Sequence, residues 1–475
     1  MSTRFSQRGT LAVVCLATAM LMLDIAVVNT ALSHIAEDLN ASLSGLQWIV
    51  DAYTLALATV VLTAGSVADR VGRRRVFAWG MALFTVTSLV CGMAGSIELL
   101  DGARAVQGIG AAMMFASSLA VLADVFPGAA ERAKAFAVYG ATIGASFAIG
   151  PLVGGALTSG ISWRAVFYVN VPIGIAALVA TYAWVRESKD PTPRRIDWAG
   201  QATLTGALFL LVLALLRGNE DGWGSTAIVL ELVGAAVLYA AFLAIESRVK
   251  DPMLPLKFFR RPSFTGAQVA AFAISASFFA IFLYTTLYLQ EILHLSPIQT
   301  GLVYLPGTIV IFLVSGASAS LVNKVGPAVL VVAGLFLVAV GMALMLLIDP
   351  SSDWEMFMPG LLLGCLGTGL FNPAVVAIAL GSVPENVSGL AAGTNDAFRQ
   401  GGIAVGVALF GAIVPAGAAL GHGSPADYID GMHYAAIVGA AIALAGAVAC
   451  SRLFGVGLAS SGKRLASAAV GARAR

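Results

Sequence analysis

The sequence predicts an all-α polytopic membrane protein with fourteen spans, and three observations carry that prediction. Hydrophobic residues make up 59% of the 475 and charged residues only 11%, whereas roughly a quarter of a soluble domain is charged. The apolar residues fall into long runs, each near the ~20 residues that cross a hydrocarbon core as a helix. The basic residues gather in short connections between alternate runs, as expected of loops held on the cytoplasmic side. A net charge of +2 with dispersed bases excludes the concentrated cationic face of a nucleic-acid-binding protein.

Taken in order, the spans begin near residues 10, 48, 76, 100, 135, 164, 198, 225, 267, 302, 327, 356, 391 and 432. Arg4 and Arg8 precede the first, which is too long for a leader peptide and is read as a retained helix. The second and third flank a tight turn, Gly65-Ser-Val-Ala-Asp69-Arg70-Val-Gly72-Arg73-Arg74-Arg75, whose glycines let the helices approach and turn. The fourth carries Arg104, Gln107, Gly108 and Ala111 on one face by the i, i+3, i+4, i+7 rule. The fifth contains Pro151, which cannot bond the carbonyl of Phe147 and is expected to kink it. Gly140 with Gly144, and Gly150 with Gly154, offer small faces for close packing. Polar connections near 186 to 197 and 247 to 262 set the seventh and eighth spans apart as a pair, and the polar stretch Asn395 to Gly402 opens the thirteenth.

With fourteen spans both termini face one side. If that side is cytoplasmic, 23 of the 27 basic residues lie there, while the opposite loops carry acids such as Glu37, Asp38, Glu220, Asp221, Asp349 and Asp353. The division expected is residues 1–190 as a six-helix half, 191–262 as an inserted pair with cytoplasmic linkers, 263–455 as a second six-helix half and 456–475 as a cytoplasmic tail. A worn internal repeat agrees with it: Asp69-Arg70-Val71-Gly72 recurs as Asn323-Lys324-Val325-Gly326, displaced by 254 residues, as transporters built from repeated halves require.

Ionisable groups at mid-membrane cost about 2.5 to 3.5 kcal/mol and need a partner, a wet cavity or a task. Asp24, in the middle of the first span, is the first choice for a proton-carrying carboxylate, because a partly dehydrated carboxylate can load and release a proton near neutral pH; the alternative is a packing carboxylate satisfied by a hydroxyl or an arginine. Arg104 is expected to look inward and pair with an acid, or else to snorkel toward an interface. Asp396 with Arg399 and Gln400 forms an i, i+3, i+4 set that allows an internal ion pair or a role in proton or substrate handling. Asp51 stands near the outer end of the second span, where Trp48 suggests interface anchoring.

Absences narrow the function. No GxxxxGK[ST] stretch is present to hold ATP phosphates, nor a GxSxG elbow or HExxH helix, so neither an enzyme nor a cofactor is expected. The cysteines Cys15, Cys91, Cys365 and Cys450 lie in apolar runs without a CxxC pair and read as core residues. The four histidines all lie near the outer face, so no buried metal site is expected.

Over nearly its whole length the chain resembles the major facilitator superfamily, specifically its fourteen-helix drug/proton antiporter branch. Gly65 to Arg75 is similar to the signature loop between helices two and three. Asp24 with Asn29 to Leu32 resembles the first-helix motif, Arg104, Gln107 and Gly108 the fourth-helix motif, and Gly150, Pro151, Gly154 and Gly155 the fifth-helix motif of exporters. Trp163-Arg164, Asn170-Val-Pro172-Ile-Gly174, Tyr288-Leu-Gln290 and Asn395 to Gly402 also match, although Asp396 stands where the family usually has an uncharged residue. The resemblance implies two six-helix halves plus two central helices. It also implies that Gly65, Asp69, Arg70, Gly72 and Arg73, with Gly150, Pro151, Gly154 and Gly155, gate the conformation, Asp69 and Arg73 holding an outward-open state.

The function expected is a proton-coupled multidrug efflux antiporter for lipophilic, cationic drugs or antibiotics, working as a monomer in a bacterial cell membrane. Proton coupling is assigned to Asp24, Arg104 and Asp396. Substrate binding is assigned to Asp24, Asn29, Asp51, Tyr53, Tyr284, Tyr288, Gln290, Asn372, Asn395 and Asp396, with Phe278 and Phe282 as further aromatic wall candidates. Alternatives are an exporter of one secreted metabolite, a proton-coupled uptake symporter, or a non-transporting membrane sensor or scaffold.

Overall fold

The computed structural model describes residues 2–191, 195–384 and 387–456, which are helical with short connections. Most of the expected tail, 457–475, lies outside the described residues. We number the spans α1 Ser2–Leu39, α2 Leu43–Val71, α3 Arg73–Gly92, α4 Ile97–Val125, α5 Ala129–Gly160, α6 Ala165–Trp184, α7 Trp198–Asp221, α8 Thr226–Glu246, α9 Pro262–Ile292, α10 Pro297–Val325, α11 Pro327–Leu344, α12 Trp354–Gly381, α13 Ser388–Gly411 and α14 Pro425–Leu453. Thirteen helices among the described residues are long and apolar enough to cross a membrane. The fourteenth, α13, has 24 residues, long enough to span; its polar opening through Asp396, Arg399 and Gln400 lowers its hydropathy.

Local chemistry sets the helix ends. Ser42, Ser96, Ser225, Ser296 and Ser424 each accept a hydrogen bond from a backbone N–H in the first turn of the following helix, filling donors that the helix cannot satisfy itself. Proline opens α9, α10, α11 and α14, where its missing N–H costs nothing. Gly72 between α2 and α3 has φ +133°, and Gly326 between α10 and α11 has φ +94°, a region open mainly to glycine. The two copies of the weak repeat therefore make the same turn, although only the first has kept its acid.

Within residues 2–191, α1 packs on α5, α2 and α3 on α4, and α3 on α6; within the last six spans, α10 and α11 pack on α12 and α14 lies against α9 and α11. Two seams join these groups, α5 with α10 and α2 with α13. α7 and α8 pack on each other, and α7 lies across the α2–α13 seam, with Trp48 against Phe209 at 5.8 Å. Exposed Leu230, Val233, Val237 and Tyr239 on α8 suit a lipid-facing flank. α9 is irregular: π-helical turns at Ser275–Phe279 and Tyr288–Ile292 interrupt it, a distortion frequent at functional sites.

Candidate functional site between the helix groups

Asp24, from the middle of α1, is fully buried and accepts from three donors. Arg104 Nη1 reaches Oδ2 at 2.6 Å, while Asn170 Nδ2 and Gln107 Nε2 reach Oδ1 at 2.7 and 3.0 Å. Ser88 of α3 closes the network by accepting from Gln107 at 2.9 Å. Arg104 Nε donates to the carbonyl of Ile49 at 3.0 Å, and the guanidinium lies 4.2 Å from the Tyr53 ring centroid. Arg104 is 2% exposed, so it faces inward and does not snorkel. Burying two charges costs several kcal/mol per ion, offset only when their remaining polar atoms are also satisfied, and the amides of Gln107 and Asn170 do that for Asp24. Gly108 lets α4 come this close: a Cβ there would lie 2.4 Å from the Tyr53 carbonyl oxygen.

Beside this network lies a cavity of about 40 Å³ walled by α1, α2, α4, α5, α9, α10 and α13. It has room for a few waters and not for a drug-sized molecule. Of the predicted residues, Asn29, Tyr53, Arg104, Pro151 and Phe282 line it. Phe147, Phe279, Thr54, Thr286 and Tyr304 also line it and were not foreseen, since only packing between groups distant in sequence brings them together. Asp24 reaches the cavity only through Arg104.

Several expectations require correction. Asp51 is not an interface anchor: it is 0% exposed, and neither carboxylate oxygen has a hydrogen-bond partner. Asp396 and Arg399 do not close an ion pair; the Arg399 guanidinium lies 5.5 Å from the Phe279 ring, and Asp396 Oδ2 and Arg399 Nε are buried without partners. Gly140 has nothing near its Cβ position and Gly144 only Phe312 at 3.9 Å, so that pair makes no close contact here; at Gly65 the nearest atom, on Ala116, is also 3.9 Å away. Phe278 packs instead against Gly364.

The other assigned side chains lie off the cavity. Tyr284 donates to the Val407 carbonyl at 2.5 Å and accepts from Gln47 Nε2 at 2.6 Å. Tyr288 approaches the Ser352 carbonyl at 3.5 Å, Gln290 Nε2 donates to the Thr30 carbonyl at 3.0 Å, and Asn395 Nδ2 donates to the Ala267 carbonyl at 3.2 Å. Asn372 is half-buried on α12. The Gln47, Gln290 and Ile298-to-Ser159 hydrogen bonds join the two helix groups at the end away from the arginine loop. There Gly155 and Gly301 are needed, because a Cβ on either would lie 2.3 Å from the Pro297 oxygen or 2.5 Å from the Pro151 oxygen. Gly150 and Gly154 meet α1 at Ala26, Val27 and Thr30.

At the arginine end, Asp69 Oδ1 accepts from Arg73 Nε at 3.0 Å and Nη2 at 2.9 Å. The segment after α6 wraps this turn: Asp190 N–H donates to the Asp69 carbonyl at 3.0 Å, Arg73 N–H to the Ser188 carbonyl at 2.9 Å and Arg74 N–H to Glu187 Oε1 at 3.0 Å. Arg70 is exposed. These contacts tie α2, α3 and the segment after α6 together, and none of them reaches α9 to α14.

The Major Facilitator Superfamily model matches residues 14–407. The chain belongs to that superfamily. This facilitator is 36% identical over 397 residues to the multidrug resistance protein Stp of Mycobacterium tuberculosis, covering 84% of this chain and 74% of the relative. It is 35% identical to the puromycin resistance protein pur8 of Streptomyces alboniger, covering 91% and 88%. Among solved structures, a peptide transporter POT in complex with sulfate superposes with a TM-score of 0.67 over 94% of this chain and 95% of that one, at 17% identity, a likeness of fold alone. The facilitator is thus a multi-pass membrane transporter and not an enzyme.

Proposed function

We propose that this facilitator exports amphipathic drugs or antibiotics by alternating access, coupled to proton entry. The observation that carries the reading is the Asp24–Arg104 pair at 2.6 Å, with Arg104 also forming part of the cavity wall. A proton arriving at Asp24 cancels the charge that holds Arg104, freeing the guanidinium to change its contacts with Tyr53 and with whatever occupies the cavity. Coupling of this kind needs one group shared between the proton site and the substrate site, and Arg104 is that group. The similarity to the multidrug resistance protein Stp and the puromycin resistance protein pur8 supports drug export. The distribution of basic residues supports cytoplasmic termini in a bacterial cell membrane, and we take the working unit to be a monomer.

The cavity wall favours a second reading of substrate class. Its lining contains aromatic rings, hydroxyls and the paired Arg104, and no carboxylate. Widened by alternating access, such a wall suits a hydroxylated aromatic molecule at least as well as a cation.

The test is transport in sealed vesicles under an imposed pH gradient, comparing wild type with Asp24→Asn, using a fluorescent lipophilic cation and a neutral hydroxylated aromatic as probes. Gradient-driven movement of either probe, abolished by the substitution, is expected. Gradient-driven transport that survives Asp24→Asn would remove Asp24 as proton carrier.

A further inference from the structure

Away from the cavity, at the arginine end of the inserted pair, two buried acids face each other. Asp197 caps α7, its Oδ1 accepting the Gly200 N–H at 2.7 Å. Glu246 is the last residue of α8, its Oε2 accepting the Leu254 N–H at 3.1 Å. They are 8% and 3% exposed. Their second oxygens, Asp197 Oδ2 and Glu246 Oε1, are buried and have no hydrogen-bond partner. Those two oxygens converge over one spot: a Cβ on Gly200 would lie 2.7 Å from the first and 2.8 Å from the second.

We propose that Asp197 and Glu246 form a proton-binding site that latches the linker between α8 and α9. Two carboxylates are acceptors only, so unpartnered oxygens turned toward each other are satisfied by one shared proton. The helix ends say where it sits. Asp197 lies at the positive N-terminus of α7, which favours its anion, and Glu246 lies at the negative C-terminus of α8, which disfavours a second charge. The proton therefore rests on Glu246 Oε1 and is donated to Asp197 Oδ2.

Among the described residues, the other charged groups at this end do not neutralise the pair. The linker carries Arg248, Lys250 and Asp251, with Asp251 Oδ2 3.5 Å from the Arg195 N–H; Lys257 and Arg261 lie over the Phe258 ring. From α1 comes the exposed Arg8, and from α2 the exposed Arg70 and the half-buried Asp69, the last bound to Arg73. The latch matters because Glu246 holds Leu254, whose side chain and that of Met253 are buried in a cluster with Val13, Val14 and Phe242. Losing the shared proton sets two adjacent buried charges against each other and releases the linker that leads into α9.

The experiment uses the full chain in detergent and needs no transported substrate. Infrared difference spectra across a pH titration read the protonated carboxyl, and limited trypsin cleavage at the exposed Arg248 and Lys250 reads the linker, corrected by a reference peptide at each pH. Wild type is expected to show a protonated-carboxyl band lost on alkalinisation, with cleavage rising several-fold between about pH 6 and about pH 9. Glu246→Gln, whose amide donates to Asp197 without titrating, is expected to lack that band and to stay slow throughout; Asp197→Asn serves as the second variant, its amide donating to Glu246. A wild type with no such band, or a pH-dependent rise equally large in both variants, would overturn the proposal. So would protection at high pH by magnesium or calcium ions alone, which would make the pair a cation site.

Discussion

Arg104 closes on Asp24 at 2.6 Å while its guanidinium lies 4.2 Å from the Tyr53 ring centroid, so one side chain joins the buried acid of α1 to the cavity wall. Replacing Asp24 with Ala leaves Arg104 buried and uncompensated, at a cost of about 3 to 5 kcal/mol. Thermal unfolding in detergent should show a large drop in Tm for Asp24→Ala and a smaller one for Asp24→Asn, which keeps an acceptor. Equal drops would mean that the pairing contributes little.

Asp51 presents the opposite case, a buried carboxyl without a partner. Burying such a group costs stability that an apolar residue of similar volume does not. Asp51→Leu should therefore raise Tm while reducing transport. A lowered Tm would show that the carboxyl is held by a partner in the membrane-embedded protein.

Tyr284 bridges Gln47 of α2 and the Val407 carbonyl of α13. Tyr284→Phe strands both, at about 1 to 3 kcal/mol. Because Gln47 and Tyr284 share one bond, the double variant with Gln47→Ala should cost clearly less than the sum of the singles. Strict additivity would show that the bond does not form in the membrane.

Gly155 permits the α5–α10 seam, since a Cβ there would sit 2.3 Å from the Pro297 oxygen. Gly155→Ala should hold that end open, measured as several-fold faster thiol labelling of a cysteine placed at Ser159. Unchanged labelling would show that the seam does not close in the working protein.

Asp69 and Arg73 form a partly exposed pair, at 36% and 19% side-chain exposure, so Asp69→Asn should change stability by no more than about 1 kcal/mol. A transport loss much larger than that stability change is the outcome expected of a latch. Normal transport would leave the turn a topological feature only.

The fourteen segments were readable because span length and apolarity are local properties, and the Gly72 and Gly326 turns because positive φ selects glycine. Asp24 and Arg104 were singled out because charge in an apolar run is costly wherever the run goes. The bond from Asn170 to Asp24 and that from Gln107 to Ser88 were not readable, nor were Phe147, Phe279 and Tyr304 as cavity wall, because no spacing rule relates helices that are distant in the chain. Asp396 and Arg399 misled for a related reason: i, i+3 spacing permits a contact, but Arg399 turned to the Phe279 ring.

The sequence by itself determined the class, the number of spans and the expensive charges, since these follow from transfer of each segment into hydrocarbon one at a time. Only the tertiary structure decided which charges meet. Arg104 found Asp24, Asp51 found no partner, and Asp197 came to face Glu246 across the ends of α7 and α8. Each outcome depends on how separate helices pack, and with it which polar atoms are left to satisfy one another.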